Sequence, residues 1–214
     1  MALDLTAERG LLFRITHINN LPWLLANGLH CSNGNVADPN FVAIGNPDLI
    51  SKRTHWRVPI APGGTLGDYV PFYFTPKSPM LLNIKTGYNG IVQRPNAGIV
   101  VLVSSCQAMA DHRVPMLFTD RHAYTKMAKW SDDPADLGGM IDWDILRRHD
   151  FARTDSYPDK MERYQAEALA HGHVPSVALL GIGCVSDAVR PDIEEQVRAA
   201  NQALRVVARP EWYF

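Results

Sequence analysis

The sequence predicts an α+β fold built on a mostly antiparallel sheet, and three observations point there. Apolar runs of strand length, such as "AGIVVLVSS" and "VPSVALLGIGCV", outnumber helical patterns. They do not alternate regularly with helices, as a parallel sheet with helical crossovers requires. The 214 residues, 46% apolar and 20% charged, show no internal repeat and no linker, which suits one domain over residues 1–214 with a proper core.

In chain order, "RITHINNL" ends a strand at Thr16 and His17, directly ahead of a short helix in "INNLPWLLANGLH". Asn19 or Asn20 is placed to cap that helix, Pro22 suits its first turn and Gly28 its stop. From Cys31 to Gly67 the composition shifts to Asn, Pro, Gly and charge, with a helical turn in "NPDLISKRT". A loop that long in a compact domain is often functional. "DYVPFYF" and "MLLNI" read as strands on either side of a turn rich in Pro and Ser, followed by the buried strand "AGIVVLVSS". After the mixed stretches "TDRHAYTKMAKW" and "LGGMIDWDILRRHDF", "VPSVALLGIGCV" reads as another buried strand. "RPDIEEQVRAANQAL" is a helix with Pro191 near its start, acids in its first turn and Ile193, Val197 and Leu204 on one stripe. "RVVARPEWYF" closes the chain as a last strand.

Several function classes are disfavoured. A net charge of −1 excludes a global polyanion binder, so any nucleic-acid site must be a local patch or stacking surface. Cys31, Cys106 and Cys184 are odd in number and far apart, unlike a disulfide framework, zinc knuckle or redox pair. "MALDLTAERGLLF" lacks the apolar core of a signal peptide, and no run reaches membrane-spanning length, so a cytoplasmic protein without a membrane anchor is expected. No glycine pattern matches a Rossmann turn or P-loop, no serine sits in a nucleophile elbow, and no HExxH is present. No metal is expected, although alternation would put His171 and His173 on one strand face.

Three clusters could carry chemistry. Thr16 and His17 could face a ligand at the positive end of the following helix, or simply satisfy local hydrogen bonds. "SKRTHWR" sets Lys52, Arg53 and Arg57 around Trp56, suited to a pyrophosphate or carboxylate, or to water. "DRHAYTKMAKW" interleaves Arg121, His122, Lys126 and Lys129 with Tyr124 and Trp130, the texture of a single-strand platform and equally of an amphipathic helix. In "DKMERYQAEALAHGHVP", a helix would pair Glu167 with Arg163 on the surface. A strand beginning near Ala166 would instead put Glu167, Leu169, His171 and His173 on one face, and periodicity does not decide between the two.

The stretches "ITHINNLPWLLANGL", "NPDLISKR", "YVPFYFTPKSPML", "LGGMIDWDIL" and "YQAEALAHGHVP" resemble the DarT family, bacterial toxins that ADP-ribosylate thymidine in single-stranded DNA and are paired with a macrodomain antitoxin. They occur in the family's order between about residues 12 and 180, and "THINNL", "SPML" and "AE-x-L-x-x-GHVP" are specific in combination. The resemblance implies the ADP-ribosyltransferase fold: a split, mostly antiparallel sheet around an NAD cleft, with flanking helices. It implies the strand reading, with Glu167 as catalytic carboxylate. It also implies Arg53, the arginine after the NAD-covering loop, as a second catalytic residue that holds NAD phosphate and favours loss of the acceptor proton, Glu167 being the alternative base. Thr16, His17 and Asn20, with Gly28 and Leu29, match the NAD-contacting start of the fold, and Tyr73 and Ser78 lie where relatives line the nicotinamide pocket. Met80, Arg94, His122 and Tyr124 are the expected DNA contacts. Arg14 stands where many relatives carry a histidine, so no role is carried over to it.

NAD as co-substrate fits these residues, because a carboxylate near the ribose stabilises the positive charge that builds as its glycosidic bond breaks. Two rivals remain: the same fold acting on RNA, by ADP-ribosylation or 2′-phosphate removal, and a non-catalytic nucleic-acid-binding module.

Overall fold

The computed structural model describes residues 3–214; Met1 and Ala2, which open the N-terminal stretch read above, lie outside it. The strands are β1 (Leu11–His17), β2 (Leu29–His30), β3 (Tyr69–Tyr73), β4 (Ile99–Ser105), β5 (Met116–Thr119), β6 (Trp130–Ser131), β7 (Glu167–His171), β8 (His173–Val174), β9 (Gly181–Cys184) and β10 (Arg205–Ala208). The helices are α1 (Leu21–Asn27), α2 (Pro47–Arg53), α3 (Pro79–Thr86), α4 (Cys106–Asp111), α5 (Leu137–Met140), α6 (Trp143–Arg148), α7 (Lys160–Tyr164) and α8 (Arg190–Ala199).

Eight strands form one sheet in the order β10–β9–β4–β1–β3–β7–β5–β6, and β2 and β8 form a separate pair. Every ladder is antiparallel except β9–β10, which brings the last strand in parallel, so the expected mostly antiparallel α+β architecture holds. The sheet is split at its middle. β1 pairs with β4 from Leu11↔Ser105 to His17↔Ile99, yet meets β3 only at Phe13↔Tyr73. Pro71 explains the opening. Its carbonyl faces the β1 side, where Arg14 Nη1 donates to it at 2.8 Å, and proline has no amide hydrogen to extend a ladder there.

Alternation along the strands then sorts the side chains. Phe13, Val70, Phe72, Ala168 and Ala170 enter the main core, while Arg14, Thr16, Pro71, Tyr73 and Glu167 face the split. A second, smaller core of Val58, Leu66, Tyr69, Leu117, Ala123 and Leu169, covered by Trp56 and Tyr124, supports the loops that close over the split.

Several local expectations are corrected. "MLLNI" is helical, within α3: Ser78 Oγ accepts from Leu81 N at 3.3 Å as N-cap, and Pro79 takes the first helical position. A short apolar run does not distinguish strand from buried helix, and the Ser-Pro before it was the better signal. Asn20 precedes α1 without capping it; its side chain is fully buried and holds the long loop instead. α8 stops at Ala199, with Asn201 at φ 53° ending the run before Leu204. "DRHAYTKMAKW" is neither helix nor strand over most of its length, but a turn leading into β6. Its Arg121 is buried in ion pairs with Asp120 and Asp159, both at 3.1 Å, and is not part of an open basic face.

Candidate active site

Glu167 opens β7 opposite Tyr73 and is 1% exposed. Both readings of its segment are half right: α7 ends at Tyr164, and the strand begins in time to turn Glu167 inward. Arg163 pairs with Asp159 at 3.0 Å, which removes the surface partner that the helical reading gave Glu167. The actual partner is Arg53 at the end of α2. Its Nη1 donates to Glu167 Oε1 at 3.0 Å and its Nη2 to Oε2 at 2.7 Å, a two-pronged contact that fixes the carboxylate plane. Ala123 N also donates to Oε1 at 2.9 Å. Oε1 therefore has two donors and Oε2 one, so Oε2 keeps an acceptor position for a ligand.

Burial pushes the Glu167 pKa up, but the charges of Arg53 and His122 and the hydrogen bonds from Arg53 and Ala123 prevail, holding it below the ordinary carboxylate value. Burial acts against the Arg53 cation too, and Glu167 again prevails, raising it. His122 is lowered by burial, with Glu167 opposing and Arg53 adding, so at neutral pH it is uncharged and adds little to holding Glu167 ionised there. Its Nδ1 accepts from Tyr124 N at 3.1 Å, which leaves the proton on Nε2; at 3.7 Å from Glu167 Oε1, Nδ1 makes no hydrogen bond to it.

The split holds two adjoining cavities that share Arg14, Thr16, Phe41 and Arg53. One, of about 170 Å³, reaches Tyr73, Met80, His122 and Glu167. The other, of about 400 Å³, is walled by Trp23, Leu29, His30 and Tyr69. The loop over them is tethered by Asn20, whose Nδ2 donates to Val42 O at 3.0 Å and whose Oδ1 accepts from Val42 N at 2.8 Å. Asn20 Nδ2 also donates to Thr16 Oγ1 at 3.1 Å.

A comparison with protein families matches residues 13–214 to "ssDNA thymidine ADP-ribosyltransferase, DarT". The chain belongs to the DarT family. It is 48% identical over 220 residues to the DNA ADP-ribosyl transferase of Escherichia coli O127:H6, with each chain covered in full. The structure of Thermus sp. 2.9 DarT in complex with ADP-ribosylated ssDNA superposes with a TM-score of 0.89 at 30% identity, covering 99% of both chains. That of the same protein in complex with NAD+ gives 0.83 at 31% identity, over 97% of this chain and 98% of the other.

Of the residues that the DarT resemblance singles out, Glu167, Arg53, Thr16, Tyr73, Leu29, Met80 and His122 line the cavities. The others stand behind or beside them. Asn20 acts through Val42 and Thr16, and His17 Nδ1 accepts from Asn19 N at 3.2 Å, capping the turn after β1. Gly28 has φ 78°, and a Cβ there would run into His173 Nε2 and the Val174 carbonyl, so it serves the α1–β2 junction. Ser78 caps α3 and does not lie on a strand. Arg94 and Tyr124 line neither cavity; Tyr124 packs on Trp56 with ring centroids 4.4 Å apart. His171 and His173 flank Gly172 (φ 72°) in different ladders, against Tyr69 and His30 respectively, so alternation does not unite them. Sequence reasoning passed over the Ala123 amide, which no side-chain pattern can reveal, and Arg14, which lines both cavities.

Proposed function

We propose that Glu167 is the catalytic carboxylate with which this DarT-family enzyme transfers ADP-ribose from NAD to thymidine. Family membership makes the chain an NAD-dependent ADP-ribosyltransferase of single-stranded DNA. The reading of the site rests on one observation: a buried, ionised carboxylate with a spare acceptor position on Oε2 lines a cavity rich in guanidinium groups. NAD suits that cavity, since two arginines against one carboxylate leave an excess of positive charge for its phosphates. When bound, NAD supplies a glycosidic bond whose cleavage releases neutral nicotinamide and builds positive charge on the ribose.

Glu167 Oε2 accepts from the ribose 2′-OH and stabilises that charge inside a water-poor cleft. Arg53 holds the carboxylate in plane through its two hydrogen bonds to it. The ribose carbon bonds to the base nitrogen as the nicotinamide bond breaks. The base proton, acidified as that bond forms, passes to Glu167 and on to water. His122, with its Nδ1 occupied, presents Nε2–H as a donor to the acceptor strand. We extend the reading to a single catalytic domain over residues 1–214 that works in the cytoplasm and is restrained by a macrodomain antitoxin able to remove the ADP-ribose mark. Release of that mark from modified DNA by a macrodomain encoded beside this chain checks the last point.

The test is intact-mass measurement of single-stranded DNA, duplex DNA and RNA oligonucleotides after incubation with NAD and protein. One ADP-ribose increment on single-stranded DNA, at a thymidine, is expected with the unmodified protein. Glu167→Gln is expected to lower the rate by about 10²- to 10³-fold, the range found when one transition-state stabiliser is removed. Undiminished transfer by that variant would overturn the assignment of Glu167, and modification of RNA alone would favour the RNA rival.

A further inference from the structure

We infer that the Thr119 hydroxyl is a positioning group for the catalytic carboxylate, tying the main chain of Glu167 to that of Arg121 so that the Ala123 amide reaches Oε1. The inference deepens the reading of Glu167 given above and rests on it.

The β5–β7 ladder runs from Met116↔Ala170 to Phe118↔Ala168, and the next step would pair Thr119 with Glu167. At that step a side chain enters. Glu167 N donates to Thr119 Oγ1 at 3.2 Å, and Thr119 Oγ1 donates to Arg121 O at 2.7 Å. The single hydroxyl proton goes there and not to Glu167 O, which lies at 3.5 Å. Thr119 is fully buried, so bulk water does not compete for either bond. One hydroxyl therefore fixes the first residue of β7 against the start of the turn that leaves β5. Two residues beyond Arg121, Ala123 N donates to Glu167 Oε1 at 2.9 Å. The hydroxyl thus holds the main chain of Glu167, and the amide it brings round holds the side chain. The rest of the turn is held by other contacts, Asp120 on Lys129 N and Glu162 O on His122 N, and neither of them touches Glu167. Thr119 lines neither cavity, so any effect it has on transfer passes through the groups it holds.

The charge state of Glu167 follows the same path. Burial pushes its pKa up, Arg53 and His122 draw it down, and the Ala123 hydrogen bond adds to the fall. Releasing that amide raises the pKa, so the acid limb of the reaction moves to higher pH. The other groups facing Glu167 are Arg53 on α2, His122 on the turn, Tyr73 on β3 and Arg14 on β1, and all remain in a Thr119 variant.

The test measures kcat and KM for NAD in transfer to a thymidine-containing single-stranded oligonucleotide, from about pH 5 to 9, with NAD affinity by calorimetry. It compares the wild type with Thr119→Val, Thr119→Ser and Glu167→Gln. Thr119→Val keeps the shape and removes the hydroxyl. It is expected to lower kcat by about 10- to 100-fold, the loss of one hydrogen bond to a charged group, with KM and NAD affinity within about twofold. Its acid limb of kcat should move to higher pH, and Thr119→Ser, which returns the hydroxyl, should recover both rate and limb. Undiminished kcat in Thr119→Val would overturn the inference. A fall in kcat with the acid limb unmoved, or matched by a loss of NAD affinity, would overturn it too, since either describes a loosened fold. If Thr119→Val does not fold, Thr119→Ser decides alone: wild-type kcat and limb uphold the hydroxyl, and a fall of about tenfold or more rejects it. Transfer kept in Glu167→Gln would remove the carboxylate assignment and this inference together. Transfer lost there but kept in Thr119→Val would remove this inference alone.

Discussion

At the scale of single residues, the Glu167–Arg53 pair makes function and stability opponents. Glu167 has 2% and Arg53 14% of its side chain exposed, so removing either leaves a charge in a site with little water. Breaking such a pair costs about 3–5 kcal/mol. Glu167→Ala should therefore unfold at markedly lower denaturant than the wild type, while a double change to Arg53→Met and Glu167→Leu should recover much of the loss. Denaturant titration of Arg53→Met, Glu167→Leu and the double variant measures it, and additive losses would show that the pair is not coupled. His122 sets a pH limit. Its pKa is lowered in the fold, so the unfolded chain binds the proton more readily. Stability is then full above the ordinary imidazole pKa and falls as pH drops through it towards the lowered one. His17 and His149 are lowered by burial too and share that limb. His122→Asn should flatten the limb without abolishing it, as thermal unfolding across pH 7 to 5 would read.

At the scale of elements, what the sequence made legible depended on whether the signal was local. The β4 run is apolar at every position from Ile99 to Val103 and mostly β-branched, which suits the buried mid-sheet strand that it forms. The helix at Leu21–Asn27 was legible from Pro22 and Gly28. The reading failed at α3, where the sequence places Ser78 in a turn between strands and the structure makes it a helix cap. Ser78→Ala should cost about 1 kcal/mol, a fall of about 2–4 °C in unfolding temperature, and leave NAD affinity unaltered. A large loss of NAD affinity at full stability would return Ser78 to the pocket. The turn from Asp120 to Lys129 was illegible for a different reason. Its conformation is set by Asp120, which accepts from Lys129 N at 2.9 Å and from Arg121, and by Asp159, 38 residues from Arg121 in sequence. No local pattern announces that such a turn will offer the Ala123 amide to Glu167.

At the scale of the whole molecule, the long Asn- and Pro-rich segment, the split at Pro71 and the carboxylate on β7 are one device. The segment roofs a gap that exists because β1 and β3 pair only at Phe13↔Tyr73, and α2, at the end of that roof, carries the arginine that fixes the carboxylate. The resemblance supplied this long-range arrangement, which spacing alone left open between helix and strand. The same scale governs how DNA is held. With a net charge of −1 the molecule exerts no general attraction on a polyanion, and Arg121 is lost to the interior. We propose Arg94, Lys126 and Lys129 as cations for a strand entering past His122. Three neutralised phosphates correspond to a slope of about −2 in the logarithm of affinity against the logarithm of salt concentration for single-stranded DNA. Fluorescence anisotropy with a thymidine-containing oligonucleotide, repeated from low to moderate salt, measures that slope. A value near −2, shallower by about one unit once Lys126 and Lys129 are both changed to Gln, would place the strand along the Asp120–Lys129 turn. A slope beyond about −4 would mean that a broader basic surface, assembled from residues outside this cleft, holds the DNA.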